Sequence, residues 1–252
     1  MADTKTNYVG TLYAVSWGLG SLVIVVCSAR VYGRAFVTHQ IGWDDFFMVF
    51  GAISAIICSS LVTVGASHGL GKHEHDIESP HLLSEAIKYT IIAPVLSLTS
   101  STSSKVSIFI FLIRLMGVTA KRWHLCFLWG LCVLLGLLNL FAIVLILRFC
   151  SPTAYQWDKT LDGTCMNPNI QYYGSIVGAS YTALVDIILA IFPTTFITKL
   201  NISRKMKVGL CFLMGGSVFA AVATIVKVYL LKDLDQHQDI TWFWAPITLW
   251  YT

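Results

Sequence analysis

The chain is a succession of apolar blocks, each roughly 20 residues or more, separated by short polar stretches. A helix of about 20 apolar residues crosses ~30 Å of hydrocarbon at ~1.5 Å per residue, so each block has the length of a membrane span. The pattern predicts spans over residues 8–31, 43–66, 82–116, 125–147, 172–197 and 208–231. The first block is too long for a signal-peptide core and lacks a preceding cationic stretch, so it reads as a retained helix. Asp44 and Asp45 open the second block, and Gly69 and Gly71 follow its end, as helix punctuation requires. The third is polar in its middle, at Ser97, Ser101, Ser103, Ser104 and Lys105, and the fourth is the most uniformly apolar. Asp186 and Pro193 interrupt the fifth, and small residues (Gly215, Gly216, Ala220, Ala221) crowd the sixth. Residues 240–252 are apolar, with Trp242, Trp244 and Trp250, but too few to cross. The expected fold is an all-α polytopic transmembrane helix bundle over residues 1–252, with six full spans and the stub of a seventh.

Composition supports this. The chain is 56% hydrophobic and 12% charged, where a soluble domain carries about 25% charged residues. Its mean hydropathy is +0.72. A soluble fold would have too little polar surface to cover a core. No basic tract is interleaved with aromatics, so the lipid bilayer, not nucleic acid, is the expected partner.

Charge distribution orients the spans, because cytoplasmic loops are enriched in Lys and Arg. Loops after the first, third and fifth blocks hold Arg30, Arg34, Arg114, Lys121, Arg122, Lys199, Arg204, Lys205 and Lys207. The N-terminus and the other loops hold Lys5, Lys72, Arg148, Lys159 and Lys232, together with most of the acids. The N-terminus is therefore expected outside or in a lumen. Five of the seven cysteines lie within blocks, whereas Cys150 and Cys165 share a loop on the oxidising side. They are expected to be bridged, the alternative being two unpaired thiols; a bridge would close a loop of about 16 residues and contribute roughly 3 kcal/mol. The sequon Asn201-Ile-Ser203 falls on the cytoplasmic side and is expected to stay unmodified.

Ionisable residues at membrane depth need a partner or a role. Lys105 and Asp186 are the deepest and are expected to pair. The pair serves either to fix register or as a polar anchor for a ligand or a proton donor. Glu85 and Lys88, three apart, are expected to pair with each other, and Lys227 to snorkel to the outer surface. Adjacent acids at Asp44 and Asp45 lack the helix-face spacing of magnesium-binding prenyl-diphosphate motifs. They read as a helix cap complementing the dipole, or as salt-bridge partners of Arg30 or Arg34. His73 and His75 sit in a loop with nothing to fix a metal geometry, so no metal is expected. Gly69 and Gly71 follow no strand, which removes a dinucleotide site.

Several fragments in order resemble the fungal rhodopsin-domain family of seven-helix membrane proteins. They are Arg30-Val-Tyr32-Gly-Arg34, Gly42-Trp43-Asp44-Asp45, Gly69-Leu-Gly71-Lys-His73 and Lys105-Val-Ser107-Ile-Phe109 with Arg114. Cys150-Ser-Pro152, Trp157, Cys165, Asp186, Pro193 and the basic loop at Lys205 continue the series. Some members of that family are receptor-like surface sensors of plant pathogens; others sit in secondary-metabolite gene clusters. Members normally complete a seventh helix and a cytoplasmic tail, whereas this chain stops at Thr252. The expectation is either a truncated gene model or a six-helix variant with an interfacial aromatic tail and an open groove between its first and sixth helices. Retinal-binding proteins use a lysine in the middle of the last helix, so no retinal and no other cofactor is expected.

The resemblance implies a receptor-like protein sensing a small lipophilic ligand at Lys105, Asp186, Ser101 and Ser104, and reporting to a cytoplasmic signalling partner. The alternative is an intramembrane cyclase or isomerase acting on a hydrophobic pathway intermediate beside other membrane enzymes. Asp186 would be its acid, and Lys105 or the nearby serines would orient the substrate. The expected location is the plasma membrane or the endoplasmic reticulum. A structural membrane subunit is the bland alternative, and six helices without a repeat do not suit a transporter.

Overall fold

The computed structural model describes residues 8–37, 39, 41–71, 79–116, 122–197, 204–233 and 246–249, with no side-chain description for residues 37, 193–214 and 230–233. Every apolar block is a helix. α1 (Val9–Tyr32) runs on into a π-helical turn (Gly33–Val37), followed by α2 (Trp43–His68), α3 (Pro80–Met116) and α4 (Arg122–Leu147). A short hairpin, β1 (Cys150–Ser151) and β2 (Thr164–Cys165), encloses a 3₁₀ turn (Thr153–Gln156). α5 (Pro168–Ile197) and α6 (Arg204–Asp233) complete the series. Among the described residues, α1 with its π turn and α2 to α5 are long and apolar enough to cross a membrane; the apolar stretch Gly215–Tyr229 of α6 is shorter. At ~1.5 Å per residue, α3 is about 55 Å long and exceeds the hydrocarbon thickness, so it tilts or projects.

The bundle is apolar on its outside. Leu134, Leu137, Val144, Ile191, Phe219 and Tyr229 are exposed, while Ser16, Ser54, Ser103, Ser107 and Asn139 are buried. Lipid imposes this arrangement, since every polar group must find its partner within the protein. Neighbouring helices supply those partners. Ser100 Oγ donates to the Gly51 carbonyl at 2.8 Å, and Tyr13 OH to that of Thr63 at 3.2 Å. Cys58 Sγ donates to the Ala93 carbonyl at 3.3 Å, and Tyr181 OH to that of Leu131 at 3.2 Å. Gly51 makes the α2–α3 seam close: a Cβ there would lie 3.0 Å from Ser104 Oγ and 3.2 Å from the Ser100 carbonyl.

The end of α1, the start of α2 and the end of α3 meet at one end of the bundle, the arginine end; the start of α1, the end of α2, the start of α3 and the hairpin lie at the other, the hairpin end. Towards the arginine end, Phe109, Leu112 and Met116 of α3 pack with Leu128, Cys132 and Leu135 of α4 and Val185 and Leu189 of α5. Towards the hairpin end, Leu12, Cys58, Val62, Ala66, Leu70 and Ala93 form a second core. Leu249 packs on that core, and Ile247 and Thr248 are buried. The described part of the tail is thus a helical turn packed against the bundle, where its apolar residues meet the core of α1 and α2. His73, His75, Lys121, Lys199, the sequon Asn201–Ser203 and Trp242, Trp244 and Trp250 lie outside the described residues.

Cys150 and Cys165 face each other across the hairpin and are disulfide-bonded. The enclosed loop folds back on α3, where Ser84 Oγ donates to the Trp157 carbonyl at 2.8 Å. Lys159 Nζ sits 4.2 Å from the centre of the Tyr155 ring. The hydroxyl and backbone N–H of Thr160 donate to Asp158 Oδ1 and hold that exposed carboxyl below its ordinary range. Replacing both cysteines by serine is expected to lower unfolding stability by roughly 3 kcal/mol. Thermal melting in detergent micelles checks this: reductant should lower the wild-type midpoint to that of the double variant and leave the variant unchanged.

Candidate functional site

Two charge clusters stand out. The first lies at the arginine end, where α2 begins. Its N-cap residue is Gly42, which has no side chain with which to cap; Asp45, three residues on, reaches back and accepts the Gly42 N–H at 3.1 Å. Asp44 is 1% exposed. Arg34 Nη1 approaches its Oδ2 at 2.6 Å, Arg30 Nη2 the same oxygen at 3.2 Å, and Arg114 Nη1 its Oδ1 at 3.6 Å. Arg30 and Arg34 also reach Asp45, at 3.5 and 3.3 Å. These two arginines are one turn apart, so both lie over the Phe111 ring, at 5.4 and 5.3 Å from its centre. Ser107 Oγ donates to the Asp44 carbonyl at 2.6 Å. Asp45 thus accepts a backbone N–H at the start of α2, and both Asp44 and Asp45 meet Arg30 and Arg34.

The second cluster is central. Lys105 Nζ lies 3.3 Å from Asp186 Oδ1 and donates to Ser101 Oγ at 2.8 Å. Both ends of the ion pair are buried, Asp186 being 3% exposed. Asp186 Oδ2 is buried with no hydrogen-bond donor. Ser101 and Lys105 share a face because they are four apart on α3. Ser104 belongs to the adjacent face with Ser100, Ser103 and Ser107, against α2. Lys88 and Glu85 pair at 3.2 Å, as their spacing implies.

Lys227 departs from expectation. The inward stripe of α6 contains buried Ser217 and Ala221 and partly buried Thr224 and Val228, with Lys227 at its edge. Lys227 lies within electrostatic reach of Cys58 and Lys105. An inward position keeps its ammonium among polar groups instead of lipid.

Sequence reasoning missed Phe111 and Ser107 as members of the first cluster, and Arg114 as a partner of Asp44. A signal existed: Ser107, Phe111 and Arg114 are spaced i, i+4, i+7, one helix face. That face continues the serine face that packs on α2.

Fold and clusters together define an all-α, multi-pass membrane protein with intramembrane ion pairing. The chain belongs to the fungal rhodopsin domain family, whose model matches residues 29–252. It is similar to a SAT4 family membrane protein of Emericella nidulans, 25% identical over 209 residues, covering 81% of this chain and 49% of that protein. It is also similar to wortmanamides biosynthesis cluster protein C of Talaromyces wortmannii, 24% identical over 238 residues, covering 91% and 61% respectively. The chain thus spans only 49% and 61% of the length of these two relatives. No solved structure matches it.

Removing one partner of a buried charge cluster leaves the others uncompensated. Asp44→Ala is accordingly expected to cost about 3–5 kcal/mol. Arg114→Ala, which removes a guanidinium 43% exposed, is expected to cost about 1 kcal/mol or less. Melting temperatures of the purified variants check the order. Gly42→Ala deletes no atom, yet its Cβ would lie 2.5 Å from Asp44 Oδ1 and 2.7 Å from Arg114 Nη1. It is expected to melt well below wild type in the same assay.

Proposed function

We propose that the chain is a receptor-like membrane protein of six spans that senses a small lipophilic ligand, its polar anchor being Lys105, Asp186 and Ser101, with Ser104 on the neighbouring face. The observation that carries this reading is Asp186 Oδ2, a buried carboxylate oxygen without a donor beside a buried ammonium. An unsatisfied acceptor in an apolar interior is costly, so a ligand hydroxyl or N–H delivered there gains more than it would in water. We place the N-terminus and the disulfide hairpin outside and the arginine end in the cytoplasm, in the plasma membrane or endoplasmic reticulum. Lys/Arg enrichment and the disulfide at the opposite end support that orientation. A ligand that moves α3 would act on the cytoplasmic cluster through Ser107 and Arg114, and a cytoplasmic partner would read the change.

A second reading has its own support, since one relative is named as a biosynthesis cluster protein. In it the chain is an intramembrane cyclase or isomerase, and Asp186 donates the initiating proton to a hydrophobic intermediate held by Lys105 and Ser101.

One experiment separates the two. Microsomes carrying the 252-residue chain receive a lipophilic metabolite extract from a strain lacking the gene. A sensor is expected to retain one compound unchanged, with retention lost in Asp186→Asn. Loss of a compound with appearance of its isomer, abolished by Asp186→Asn, would overturn the sensor and establish the enzyme.

A further inference from the structure

The central ion pair has one donor and one acceptor left over. An ammonium carries three N–H donors, and both oxygens of a carboxylate accept. Lys105 Nζ directs one donor to Ser101 Oγ at 2.8 Å and approaches Asp186 Oδ1 at 3.3 Å, which leaves its third N–H. Asp186 Oδ2 is buried and meets no donor. The 3.3 Å separation exceeds the ~2.7–2.9 Å of a closed charge-assisted contact, so the two charges stand slightly apart. Both side chains are almost wholly buried, at 8% and 4% exposure. One turn further along each helix, Phe109 of α3 and Leu189 of α5 are core residues. A group that reaches the pair therefore meets its two open positions with no water to compete for them.

We infer that the ligand of this site is a neutral lipophilic alcohol, whose hydroxyl accepts the third N–H of Lys105 and donates its proton to Asp186 Oδ2. This deepens the reading above and rests on it. A hydroxyl supplies donor and acceptor from one atom. Oδ2 shares its carboxylate with the oxygen nearest Nζ, so one ligand atom spans both open positions. A ketone or ether answers the ammonium and leaves Oδ2 bare. A secondary amide in its trans form points its carbonyl and N–H to opposite sides and meets only one of the two. A carboxylate would set a second negative charge beside Oδ2, and an amine would compete with Lys105 for Asp186; either is costly at membrane depth. The Lys105–Asp186 pair is itself neutral, and a neutral alcohol keeps it so.

The test uses the full chain in maltoside micelles at neutral pH. The probes share one skeleton: 1-decanol, decyl methyl ether, decanoic acid and decylamine. Apparent affinities come from the shift of melting temperature with probe concentration. The background is the double variant Lys105→Met with Asp186→Leu, which strands no charge and is expected to melt near wild type. Wild type is expected to bind the alcohol at least about tenfold more tightly than the ether, the worth of one hydrogen bond to a charged acceptor. The double variant is expected to show no preference. Asp186→Asn, the second variant should the double one fail to fold, is expected to lose most of it. Ergosterol separates two sources of the same hydroxyl. Tighter binding than 1-decanol assigns the alcohol to the bilayer, weaker binding to a diffusible metabolite, and both uphold the inference. Equal affinity for alcohol and ether, both above background, would overturn the alcohol and keep the anchor. Tighter binding of the acid or the amine than of the alcohol would do the same. No probe bound above background would overturn the anchor as well.

Discussion

The buried carboxylate of Asp44 is the constraint around which the helices are arranged. An ionised group almost wholly removed from water is stable only where opposite charges meet it with good geometry. The last turn of α1, the π turn after it and the last turn of α3 must all bring a guanidinium to the first turn of α2. Three chain segments are thereby fixed at one point, and the Ser107 hydroxyl on the Asp44 carbonyl sets the register of α3 against α2. Phe111 completes the arrangement by lying under both Arg30 and Arg34, so the guanidiniums are held by a ring face as well as by carboxylates.

α3 connects this cluster to the centre. One of its faces, from Ser100 through Ser103, Ser104 and Ser107 to Phe111 and Arg114, is spent on α2 and its charges. The adjacent face carries Ser101 and Lys105 to Asp186 of α5. Lys105 and Arg114 are nine residues apart, about 13 Å along the same rod. Under the proposed sensing function, that rod is the physical link between a ligand at the centre and the end of the bundle. A helix locked by ion pairs at two levels transmits a displacement instead of absorbing it.

The membrane explains the distribution of polarity that would be anomalous in water. Serines, a lysine and an aspartate fill the interior because they satisfy one another there, while leucines, valines and phenylalanines face outwards at no cost in hydrocarbon. Membership of the fungal rhodopsin domain family accords with this architecture. Low identity to both relatives, and the partial share of each that this chain spans, leave its activity to be argued from this chain's own residues.

Much of this was legible in one dimension. Block length against bilayer thickness set the number and extent of the helices, and hydrophobic periodicity needs no tertiary information to do so. The pairing of Cys150 with Cys165 followed from both lying in one loop, and that of Glu85 with Lys88 from helix spacing. The Lys105–Asp186 pair was legible because two isolated charges in apolar blocks have few other ways to be tolerated. Three things were decided only by packing. Asp44 had several candidate partners within reach, and only the convergence of α1, α2 and α3 recruits Arg114 from residues far away in sequence. Lys227 could have turned to the surface or to the centre, and the rotation of α6 chose the centre. Leu249 found a place on the core of α1 and α2 because burial there removes its apolar side chain from solvent. The sequence determines which residues must leave lipid or water; the fold alone determines which partner each of them meets, because that depends on rotation and register summed over several helices.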